Sequence, residues 1–409
     1  MGIEQKTYGS KILFFSLPLL FFLIIFPNIG VLLLLCTIWC IDLKNNNTYN
    51  FFVLFILLYL AITLATKELT GDGNDYITYF YNTKYYFYPT WAEDKFDFLF
   101  WYVASIIMGY ISGDNKFIFF VAINLISLLP FYTLFKYIRE NNAVTDSSKI
   151  LVMFFILFIT SFSFWNLYGN YIRQAWILSY SLGLIVAMLD RRYVYAIFFS
   201  VILISSHSTG VIFLAIIIVS VALRKIDLKK MSFYAVVICL ICISTPIFSI
   251  AMRFMTSDAS SKLYFYSTWS GSDFGETASF RLVLAYIVLY VLDFIGFHKS
   301  DRNNPLYHHL YLIFIILMVG ISIVSEVTKV VERLYYPAFV LFFIILSLQY
   351  STIIRRFNKH SQIIINISLV IFGLPILLYS LYSSLYYNIA YFSGSLSDFL
   401  LSNILDYPL

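Results

Sequence analysis

The sequence predicts an all-α fold, a polytopic transmembrane helical bundle, on three observations. Hydrophobic residues make up 61% of the 409 positions and charged residues only 12%, whereas a soluble domain carries about 25% charge. Mean hydropathy is +0.83. Apolar runs approaching the roughly 17 to 25 residues of a bilayer-spanning helix recur along the chain, joined by short polar or basic connections.

The first run, 12 to 26, lacks a small-residue cleavage site and precedes further spans, so it is expected to stay as an anchor. Pro27 and Gly30 separate it from 29 to 41, and the two fold as a tight hairpin or as one bent helix. The run 51 to 66 leads into an acidic, tyrosine-rich stretch from Lys67 to Asp97. Runs 97 to 112, 117 to 136, 150 to 168 and 172 to 189 follow. The pair 193 to 206 and 209 to 223 is interrupted from Ser205 to Gly210 and poses the same choice of hairpin or bent helix. Runs 232 to 255, 281 to 297, 309 to 325, 337 to 354 and 361 to 384 complete the series. Several are shorter than a full span, so about 11 to 13 crossings are expected. The chain reads as one integral membrane domain over 1–409, with outer-face loops near 67–96, 166–172, 256–280 and 326–336. No soluble domain, internal repeat or long linker stands out.

Lys and Arg concentrate in cytoplasmic loops. Placing Lys136 and Arg139 inside also puts inside Arg191 and Arg192, then Arg224, Lys225, Lys229 and Lys230, then Lys299 and Arg302, then Arg355, Arg356 and Lys359. Tyr168 to Arg173, His207, the loop 256–280 and the segment 326–336 then share the outer face. The acidic stretch, with Asp72, Asp75, Glu93 and Asp94, also reads as outside, yet two full crossings at 97 to 112 and 117 to 136 would then contradict Arg139. The run 97 to 112 is therefore expected to be re-entrant or to lie along the interface. The net charge of +5 is spread over short loops, which fits membrane orientation and gives nucleic-acid binding no support. Cys36, Cys40, Cys239 and Cys242 lie within apolar runs and read as lipid-buried thiols, not zinc ligands. No metal cluster, nucleotide loop or nucleophile elbow is present, and Gly71 to Gly73 does not make a dinucleotide fingerprint.

Polar residues at membrane depth carry the functional signal, because an ionisable side chain there costs about 3 kcal/mol or more and usually faces a cavity or a substrate path. NYIRQAW places Asn170, Arg173 and Gln174 at the head of one apolar run, and SSHS places His207 between two others. An arginine near a helix N-terminus matches a phosphate or diphosphate; the competing reading is a residue snorkelling to lipid headgroups. His207 reads as a proton acceptor, as a phosphate donor when charged, or as a turn residue satisfied by neighbouring hydroxyls. Arg333, in EVTKVVERLYYP, and Arg281 repeat the situation of Arg173, although Glu326 and Glu332 have an alternative role as exposed ion-pair partners of Lys329 and Arg333. For Arg281 the plain interfacial reading is favoured. Asp75, followed by Tyr76 and Tyr79, combines a carboxylate with aromatic faces suited to a sugar; an interfacial aromatic belt is the alternative.

Together these residues resemble the EpsG/Wzy family of bacterial polysaccharide polymerases. The likeness rests on GNDYITY from Gly73 to Tyr79, NYIRQ from Asn170 to Gln174, SSHS from Ser205 to Ser208 and ERLYY from Glu332 to Tyr336. It implies a GT-C-like integral membrane glycosyltransferase, multi-pass in the bacterial plasma membrane, acting at the outer face without a metal or cofactor. The donor would be a chain on undecaprenyl diphosphate and the acceptor a lipid-linked repeat unit, with a chain-length regulator and a flippase of the same pathway as partners. Arg173 and Arg333, more weakly Arg281, would meet the charge on the departing diphosphate. His207 or Asp75 would be the base, and Asn170, Gln174, Tyr76, Tyr79 and Tyr336 would contact substrate. Three other activities remain open on the residues: a lipid-linked oligosaccharide flippase, an O-antigen ligase, and an O-acyltransferase using Arg192 with His207.

Overall fold

The computed structural model describes residues 27–40, 43, 45–65, 75–86, 98–141, 147–244, 273–296, 304–368 and 379, and every regular element among them is helical. The run 12–26, most of the acidic stretch, residues 245–272, Lys299 and Arg302 lie outside the described residues, as do 369–378 and everything after 379. Helices α1 (Pro27–Cys40) and α2 (Asn46–Ala65) open the bundle. Beginning on Pro27, α1 uses a residue whose missing N–H is harmless in the first turn. Helix α3 covers Asp75–Tyr86, α4 covers Phe98–Ile107 and continues through a π-helical turn at Met108–Ser112, and α5 covers Lys116–Asn141. Arg139 fastens one end of this group: it donates to Asn46 Oδ1 (3.1 Å), Ser147 Oγ (2.6 Å) and the Leu43 carbonyl (2.7 Å).

Both ends of α4 are tied to α3. Phe100 meets Tyr79 at 5.4 Å between ring centroids, and Lys84 pairs with Asp114, just past the π turn, at 3.0 Å. With 10 residues in α4 and 5 in its π turn, the segment is about 22 Å long, shorter than the roughly 30 Å of a bilayer's hydrocarbon.

The run expected as one helix over 150 to 168 is instead a pair, α6 (Ser147–Ile159) and α7 (Phe162–Gly169), bent by 74°. Local hydrogen bonding explains the break: Ser161 caps α7 by accepting from the Phe164 N–H at 3.1 Å, and the Trp165 indole satisfies the Ile159 carbonyl at 2.7 Å. A tight turn at Asn170 and Tyr171 then starts α8 (Ile172–Leu189), so the outer loop expected at 166–172 shrinks to two residues. Helix α9 (Tyr193–Ser206) returns and α10 (Thr209–Ala222) turns back again. Gly210 makes that elbow possible, because a Cβ there would lie 1.8 Å from the Leu203 carbonyl oxygen.

Helices α11 (Leu228–Ser244), α12 (Asp273–Gly296), α13 (Pro305–Ile323), α14 (Thr328–Ile354) and α15 (Lys359–Ser368) complete the described chain. The segment 326–336, expected as a loop, is largely helical because α14 begins at Thr328 and runs through Pro337. Its buried Val327, Val331, Leu334 and Ala338 make one apolar stripe at helical spacing, which overrides the polar residues between them. Among the described residues, six helices, α2, α5, α8 and α12 to α14, are long and apolar enough to cross a membrane; counting α6 with α7 as one span makes seven, and five shorter apolar helices accompany them. Helices α8 and α14 are the most enclosed of the six, at 83% and 78%, and they form the centre of the bundle. Successive antiparallel passes put the first turns of α8 and α14, the α9–α10 elbow and α3 at one end. The Arg191, Arg224 and Arg355 turns lie at the other.

Candidate functional site

The site grows from the first turn of α8. Arg173 Nε donates to the Tyr79 hydroxyl at 3.2 Å, and its guanidinium carbon lies 5.5 Å from the centre of that ring. Tyr79 is buried, wedged against Phe100 and Trp101, and Phe100 in turn packs on Trp176 one turn into α8. This small aromatic core, separate from the main one, fixes the plane of the guanidinium and hence the direction of its terminal nitrogens.

His207 sits in extended backbone in the α9–α10 connection, outside both helices, and is 6% exposed. Its Nδ1 accepts the Thr209 backbone N–H at 3.2 Å and lies 2.9 Å from Thr209 Oγ1. A ring nitrogen that accepts from a backbone N–H carries no proton, so the neutral ring is the Nε2–H tautomer. Burial, followed by the Arg173 and Arg333 guanidiniums, holds His207 well below the ordinary histidine range, at about 3. Arg173 at the head of α8, His207 in the elbow and Arg333 near the head of α14 lie at one end of the bundle, close enough for both guanidiniums to act on the imidazole electrostatically.

A second set of contacts joins α14 to the α7–α8 turn. Tyr171 donates to Glu332 Oε2 at 3.1 Å, and its ring stacks on Tyr336 with centroids 6.0 Å apart. Tyr336 hydrogen-bonds Asn166, which accepts from Asn170 Nδ2 at 2.5 Å. From the sequence alone, Glu332 has only the alternative role of an ion-pair partner, and Tyr171 and Asn166 have no role of their own. The only sequence signal was their membership in or beside NYIRQ and ERLYY.

The remaining candidates fall around this cluster. Gln174 is buried, and its Oε1 has no hydrogen-bond partner among the described residues. Arg281 is exposed on α12 and bonds Tyr335, next to Tyr336. Asp75 and Tyr76 begin α3, one turn before Tyr79. Arg192 pairs with Asp190 at 3.6 Å, at the far end of α8 from His207, so the structure does not assemble an Arg192–His207 pair.

The family model described as EpsG family matches residues 48–393, most of the chain. The chain belongs to the EpsG family. No curated protein and no solved structure matches it. All four motifs that carried the resemblance fall inside the EpsG match, and membership suggests a polysaccharide polymerase, a glycosyltransferase-like role in a multi-pass membrane protein.

Proposed function

We propose that this EpsG-family protein polymerises oligosaccharide repeat units carried on undecaprenyl diphosphate, by metal-independent glycosyl transfer at the outer face of the bacterial plasma membrane. The observation that carries the reading is the placement of Arg173, Arg333 and a buried His207 at one end of the bundle, opposite the Arg191, Arg224 and Arg355 turns. As the bond from the anomeric carbon to the diphosphate breaks, negative charge gathers on the departing phosphate oxygens. Two guanidiniums and an imidazole N–H aimed at that charge stabilise the transition state more than the ground state. Arginine suits this role because it stays charged and offers a planar fork to phosphate oxygens. Buried as it is, His207 supports a donor role at Nε2. Tyr79 orients Arg173; Tyr171 and Tyr336 offer aromatic surface beside it for sugar.

The test is a strain lacking the native gene, complemented with Arg173→Ala, His207→Ala or Arg333→Ala, with polymer length read on a gel. Each variant is expected to accumulate at normal protein levels and leave single repeat units in place of the long-chain ladder. Normal ladders in all three would refute the proposal.

A further inference from the structure

We propose that Glu332 is the general base that takes the proton from the acceptor sugar hydroxyl. The inference rests on the polymerase reading above and assigns the role that His207 and Asp75 shared as candidates.

His207 is poorly placed for it. With Nδ1 accepting from the Thr209 N–H, the neutral ring holds its proton on Nε2 and offers no second nitrogen while that bond stands. Taking a proton would also create an imidazolium beside two guanidiniums. Glu332 accepts the Tyr171 bond on one carboxylate oxygen, and taking a proton on the other creates no new cation. Its carboxylate is next to Arg333 in the chain and is fixed by Tyr171 at 3.1 Å. Tyr171 stands two residues before Arg173, so the carboxylate is tied to the turn that carries the first guanidinium. The stack of Tyr171 on Tyr336, and the bond of Tyr336 to Asn166, hold that turn against α14. Carboxylate and diphosphate clamp are thus set by one connected framework, which keeps base and leaving-group contacts in register.

In the step, the acceptor oxygen forms its bond to the anomeric carbon of the donor while its proton passes to Glu332. The bond from that carbon to the diphosphate oxygen breaks, and its electron pair leaves with the diphosphate, where Arg173 and Arg333 meet the charge. Glu332 then returns the proton to water or to the released diphosphate. No oxidant or further reactant is needed.

The experiment uses the full chain in lipid vesicles with a lipid-diphosphate-linked repeat unit as substrate. Glu332→Gln still accepts from Tyr171 through its amide oxygen but cannot take up the proton. Its kcat is expected to fall by about 100-fold or more, with KM for the lipid-linked donor unchanged. Glu332→Ala is expected to lose activity and to regain part of it with added formate, which a misfolded variant would not do. Wild-type rates in Glu332→Gln, or no formate rescue of Glu332→Ala, would overturn the base while leaving the polymerase reading intact. A wild-type protein that elongates nothing would sink that reading and this one with it.

Discussion

Arg173 shows how a single charged side chain is held in one orientation inside a membrane bundle. The guanidinium is oriented by one hydroxyl and one ring face of Tyr79, which the aromatic cluster of α3, α4 and α8 holds in place. Tyr79→Phe keeps the ring and removes the hydroxyl bond, worth about 1 kcal/mol; elongation is expected to slow about fivefold, measured as initial rate at saturating donor. For His207, the Nε2–H tautomer predicts that His207→Gln, whose amide N–H reaches a similar position, retains more activity than His207→Ala. Loss of an oxyanion donor typically lowers kcat about 100- to 1,000-fold, and equal rates in the two variants would contradict the donor role. Arg173 and His207 were legible in the sequence because polar groups at membrane depth are expensive. The partnership of Tyr171 with Glu332 was not, since 161 positions separate them and only the packing of α8 against α14 joins them.

At the scale of elements, the elbow between α9 and α10 places His207, and Gly210 permits the elbow. Gly210→Ala would drive a methyl group to 1.8 Å from the Leu203 carbonyl oxygen, whereas Gly320→Ala, in α13, meets nothing within 4 Å. Overpacking against backbone costs about 3 kcal/mol or more. Gly210→Ala is therefore expected to lose folded yield or melt well below wild type by fluorescence-detected size exclusion, with Gly320→Ala unchanged as the control. The interruption at Ser205 to Gly210 was readable from the change in polarity along the run. The 74° bend between α6 and α7 was not, because apolar residues continue across it and the decisive bonds come from Ser161 and Trp165. Nor was the early start of α14, where a buried stripe outweighs its charged residues.

Across the described residues, the Arg191, Arg224 and Arg355 turns and the arginine–histidine cluster occupy opposite ends, the separation along the helices that loop charge leads one to expect. Orientation in the bilayer has a direct check. With Cys36, Cys40, Cys239 and Cys242 replaced by serine, a cysteine at exposed Asp114 should react with an impermeant maleimide in intact spheroplasts. One at exposed Lys225 should react only after lysis; the reverse pattern would put the cluster on the cytoplasmic side. The most direct measurement of the central claim is elongation by the purified protein in vesicles, supplied with lipid-diphosphate-linked repeat units in EDTA. Wild type should build a ladder of chains, while Arg173→Ala and Arg333→Ala, folded and present in equal amount, should build none. A ladder from both variants, or none from wild type, would contradict the account.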